Sequence, residues 1–104
     1  MEADERALLI RIHRNAILDT LAKAGPGRLQ GKMLYRLMVS WFPIYDRTCF
    51  ARDLLYLENK GYVERRDRLG RINARAEWGD AAWSLTAAGD EIANHLQQDP
   101  ALEV

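Results

Sequence analysis

Apolar residues recur at two different periods, which divide the chain into helices and a hairpin. From Asp4 to about Ala24, Leu8, Leu9, Ile10, Ile12, Ile17, Leu18 and Leu21 cover more than one stripe of a helix, so burial on two sides is expected. Gly25-Pro26-Gly27 ends this helix, because proline removes a donor and the glycines permit a turn. From Arg28 to about Val39, Leu29, Met33, Leu34, Leu37 and Met38 fall at helical spacing, with Gln30, Lys32 and Arg36 opposite. The next stretch, Ser40 to Tyr45, breaks the period at Pro43. Trp41, Phe42, Ile44 and Tyr45 crowd a turn too short to hide them all, which leaves either a satellite core or a contact surface.

A third helix follows from Asp46 to Lys60. Phe50, Leu54 and Leu57 take one face, and Arg47, Arg52, Asp53 and Glu58 take the other. Asp46 caps its first turn, and Gly61 stands where helices commonly end in a left-handed residue. Tyr62 to Arg68 reads as a strand paired with one that ends at Thr86, with a turn at Leu69-Gly70-Arg71. Between them lies either a long flexible tip or a short extra strand through Ile72 to Trp78. Thr86 caps a last helix running through Ile92, Ala93 and Leu96 to about Gln98, with Asp90 and Glu91 favouring its dipole. Asp99-Pro100 ends it.

Length and composition narrow the class. At 104 residues and 48% hydrophobic, the chain is expected to be one domain, residues 1–104, with a single core. No run approaches the ~20 apolar residues that span a bilayer, and the acidic start Met1-Glu2-Ala3-Asp4-Glu5 is unlike a signal peptide; a cytoplasmic location and no membrane partner are expected. Cys49 is the single cysteine, so no internal disulfide or cysteine-based zinc site can form. His13 lies on or beside an apolar face, and no carboxylate or cysteine set surrounds it or His95. Formal charge is zero, but it is unevenly spread: residues 25–79 are net +5 and residues 80–104 net −5.

The third helix, with Leu54, Leu57, Glu58, Lys60, Gly61 and Val63, resembles the recognition-helix-to-wing junction of winged helix-turn-helix proteins, commonly "xxLxxLExKGxV". Trp83, Leu85, Thr86 and Gly89 match the wing exit, "W-x-LT-x-x-G". The likeness is to small bacterial or phage-type regulators of the MarR and PadR kind, at the level of fold motif. It implies a mainly α fold with a small β wing: three helices, a hairpin and a final helix. It also implies double-stranded DNA as partner and a homodimer through the first and last helices.

On that resemblance, Arg47, Thr48 and Arg52 face a major groove, where arginine pairs with guanine and threonine bonds a base edge or phosphate. Arg65, Arg66, Arg68, Arg71 and Arg75 fall within eleven residues and give the wing its phosphate-binding character. Asp46, Asp53 and Glu58 oppose phosphate contact on the same helix. Trp41, Phe42, Tyr45, Leu55 and Tyr56 instead suit docking on a protein, which keeps a winged-helix interaction module open as the alternative. Single-stranded nucleic acid or RNA is a weaker third reading. No nucleophile elbow, phosphate loop or metal-binding carboxylate set occurs in the sequence, so neither catalysis nor a cofactor is expected.

Overall fold

The computed structural model describes residues 3–24 and 29–94. In chain order it contains α1 (Ala3–Lys23), β1 (Leu29–Gln30), α2 (Gly31–Trp41), α3 (Arg47–Asn59), β2 (Val63–Arg66), β3 (Ala82–Leu85) and α4 (Ala87–Ala93). The strands form one antiparallel sheet in the order β1-β3-β2. The expected stops at Gly25-Pro26-Gly27 and Asp99-Pro100, and the helix beyond Ala93 with Leu96, lie outside the described residues.

One core joins the helices to the sheet. Ile17, Leu18 and Leu21 of α1, Leu34 and Met38 of α2, and Phe50, Leu54 and Leu57 of α3 enclose Val63, Trp83 and Ile92. Burying such side chains is what offsets the cost of ordering the chain. The reading of α1 as buried on two sides holds only in part. The core reaches up to Ile17, and Leu8 and Leu9, more than two turns earlier, are exposed.

Helix α2 begins at Gly31, three residues later than its periodicity suggests, because Leu29 and Gln30 pair with Trp83 and Ala82. Its first amides are satisfied from the far end of the hairpin: Gly31 N–H donates to the Ala81 carbonyl and Lys32 N–H to the Gly79 carbonyl, each at 3.0 Å. A side chain at position 31 would meet the Trp78 carbonyl oxygen at 1.9 Å, so only glycine fits there.

Helix α3 has the expected ends. Asp46 accepts from Cys49 N–H at 2.8 Å, and Gly61 has φ +78°. The cap bonds from backbone amides, that of Cys49 first, hold the Asp46 carboxyl below its ordinary range. Thr86 then links two helix termini, donating to the Gly61 carbonyl and accepting from Gly89 N–H of α4 at 3.1 Å. Strand β2 ends at Arg66, short of the expected Arg68, because the hairpin turn already starts at Asp67. Ile72 makes one isolated bridge to Arg66, and residues 74–81 run on as turns packed against the body.

Candidate nucleic-acid interface

Helix α3 is fixed to the body by a buried polar cluster. Asp53 belongs to the inward stripe with Phe50, Leu54 and Leu57, a correction to its expected place on the solvent face. Its side chain is 0% exposed. Arg14 Nε of α1 donates to Asp53 Oδ1 at 3.2 Å, and the Tyr45 hydroxyl donates to Oδ2 at 2.6 Å. Burial, and then the bond to Asp53, push the Tyr45 hydroxyl well above the ordinary tyrosine range. The Arg14 guanidinium also lies over the Tyr56 ring, 3.6 Å from its centroid. One carboxylate therefore connects α1, the turn before α3, and α3 itself.

The outer face of α3 carries Arg47, Thr48, Arg52 and Leu55, all exposed. Arg52 reaches back to Asp53 Oδ1 at 3.5 Å, a distance at which the hydrogen bond is weak. Arg47 lies 6.0 Å from the Tyr35 ring centroid, and Tyr35 in turn meets Trp78 of the hairpin at 6.0 Å. Trp78 also packs edge-on to Phe50 at 5.2 Å. Aromatic packing thus joins the start of α3 to the returning arm of the hairpin.

The five hairpin arginines divide into two groups. Arg65 faces inward: it grips Glu58 through two bonds of 2.9 and 2.7 Å, donates to the Ala76 carbonyl at 2.7 Å, and stacks over Trp83. The paired bonds to Glu58 raise its pKa further. Arg66 is partly buried and bridges Glu64 and the Gly70 carbonyl. Both are thus committed inside the molecule, unlike the outward set pictured from sequence. Arg68, Arg71 and Arg75 are exposed. Arg71 lies 3.7 Å from Asp67, whose carboxyl is held low by backbone bonds, that from Arg71 first.

The aromatic turn is also divided. Tyr45 is buried, correcting its reading as an open contact residue, and Phe42 is half-buried, each packed against His13 with ring centroids 4.6 Å apart. Tyr56 is covered by Arg14, and Lys60 approaches the same ring at 5.8 Å. Trp41 at 52% and Ile44 at 96% exposure remain outside. Cys49 is half-buried, and burial followed by Asp46 pushes its thiol up, away from reactivity.

Sequence reasoning missed Arg14, Asp53, Trp78 and Gly31 as parts of this arrangement. Asp53 had a signal: it occupies the i+3 position of the stripe begun by Phe50. Arg65 had one too, since strand alternation places it on the same face as buried Val63. Among the described residues, no group of three His, Cys, Asp or Glu side chains is placed to hold a metal, and no helix is long and apolar enough to cross a membrane.

No protein-family model and no curated protein matches the chain. Among solved structures, the crystal structure of SSV1 F-93 superposes with a TM-score of 0.57 at 22% sequence identity, covering 80% of each chain. The chain has a mainly helical winged helix-turn-helix fold with a small antiparallel sheet.

Proposed function

We propose that the protein binds double-stranded DNA without catalysing a reaction on it, and acts as a small transcriptional regulator. The observation that carries this reading is the pairing of two exposed basic sets on joined elements: Arg47 and Arg52 with Thr48 on α3, and Arg68, Arg71 and Arg75 on the hairpin. An α-helix fits the major groove, where such side chains reach base edges. Exposed arginines on a hairpin bind flanking phosphates and release counterions. Arg65 and Arg66 serve a different purpose here, stiffening the hairpin that carries the other three.

A homodimer through α1 and α4 is part of the same proposal. Leu8 and Leu9 leave an apolar surface on the amino-terminal half of α1, and two copies related by a two-fold axis would cover it while matching a symmetric DNA site.

The second reading, docking on a protein, rests on Trp41 and Ile44 beside the turn, which are exposed without being required by the core. Fluorescence anisotropy of a labelled random duplex at ~50 and ~200 mM salt separates the two. DNA binding gives a steep loss of affinity with salt. No binding at the lower salt overturns it and leaves Trp41 and Ile44 as the surface to pursue.

A further inference from the structure

Two apolar side chains stand at the apex of the basic hairpin. Leu69 is 74% exposed and Ile72 63%. The backbone that presents them is held by a closed set of hydrogen bonds. Gly70 N–H donates to the Asp67 carbonyl and Asp67 N–H to the Arg71 carbonyl, both at 2.9 Å, and Gly70 takes the left-handed φ of +78°. The Asp67 carboxylate accepts from Leu69 N–H at 2.9 Å and Arg71 N–H at 3.1 Å, closing the turn from within. Arg68 and Leu69 therefore occupy the two corners of a tight turn backed by a glycine bulge.

Turn corners usually carry polar or small residues. A lone exposed leucine would need no account, but here two apolar side chains share a rigid tip with Arg68 and Arg71, and no described residue covers them. Against an apolar protein surface the two arginines would lose hydration without compensation. A bilayer contact needs a broader apolar face than two side chains supply. A DNA minor groove fits both features: it is ~6 Å wide, lined by phosphates, and receives leucine or isoleucine wedges between base steps.

We propose that the hairpin apex is a wedge for duplex DNA, with Leu69 entering the minor groove at a base step while Arg68 and Arg71 hold the phosphates on either side. This rests on the DNA-binding reading and adds deformation of the duplex to it. Pyrimidine–purine steps unstack most easily, so the wedge selects TA and CA steps that no hydrogen bond reads. Ile72, three residues on, broadens the apolar tip.

The test uses the full chain and a duplex carrying central TA steps, with 2-aminopurine at one adenine and a donor–acceptor dye pair at its ends. Wild type is expected to raise both 2-aminopurine fluorescence and energy transfer at saturation. Leu69→Ser, an exposed change that leaves the turn bonds intact, is expected to weaken binding and, once the duplex is saturated, to give neither signal. Arg71→Ala is expected to weaken binding but to retain both signals once saturated. Binding by wild type without unstacking or bending overturns the wedge alone, as does a Leu69→Ser protein that still unstacks. Absence of any binding at low salt overturns the underlying DNA reading. Sedimentation with phosphatidylserine vesicles that Leu69→Ser abolishes, with no unstacking of DNA, overturns the wedge in favour of a lipid surface.

Discussion

Arg14 and Asp53 lie 39 residues apart in the chain and meet at 3.2 Å, with the carboxylate fully buried. Their pairing sets how α3 sits on α1, and hence where Arg47, Thr48 and Arg52 point. Removing one partner of a buried pair leaves an uncompensated charge, so Arg14→Ala is expected to destabilise the fold by about 3 kcal/mol. Urea denaturation checks this. The double replacement Arg14→Met with Asp53→Leu should recover part of the loss, because two apolar groups leave no charge stranded. A single-mutant loss under about 0.5 kcal/mol would show that the pair does not hold α3.

His13 gives a pH dependence. Its Nδ1 is buried between Phe42 and Tyr45, with no hydrogen-bond partner among the described residues. Burial lowers its pKa most; nearby Asp53 pulls it up and Arg52 pushes it down. The folded state thus binds a proton less readily than the unfolded chain. Stability is full above the ordinary histidine range, about 6.5, and falls as the pH drops through it towards the lower folded value. His13→Phe should flatten that fall between pH 7 and pH 5 in thermal melts. An unchanged profile assigns the dependence to other groups.

Gly31 and Gly79 lie on the two sides of the contact between α2 and the hairpin, yet they should respond differently. A Cβ at Gly31 meets the Trp78 carbonyl at 1.9 Å, whereas one at Gly79 first meets the end of the Glu77 side chain at 3.3 Å. Gly31→Ala must displace the segment whose carbonyl accepts the Trp83 indole N–H, and is expected to cost about 2 kcal/mol or more. Gly79→Ala should stay within about 0.5 kcal/mol of wild type. Comparable losses for both would contradict the packing of this contact.

Much of the fold could be read from sequence because its punctuation is local. Asp46, Gly61 and Thr86 each mark a helix terminus through bonds to residues within four positions, and all three stand where expected. What was not legible depends on distant partners. Helix and strand periods turn Asp53 and Arg65 inward, but what lets a charge stay there is supplied from elsewhere in the chain, by Arg14 and Tyr45 for Asp53 and by Glu58 and Trp83 for Arg65. Strand β1 is two residues long and carries no period of its own; its pairing with Trp83 defines it. Counting arginines in the hairpin overstated its open charge, because composition does not say which guanidinium groups are already paired.

The central claim is that the exposed hairpin arginines touch phosphate, and the slope of affinity against salt measures this most directly. Wild type and the triple variant Arg68→Ala, Arg71→Ala, Arg75→Ala would be titrated with the same duplex over a salt series. Each lost phosphate contact lowers the slope of log affinity against log salt by about 0.9, so the triple variant should lose between about 2 and 3 of that slope while melting as wild type does. A wild-type protein that binds no duplex at low salt, or a triple variant whose slope is unchanged, would contradict the account.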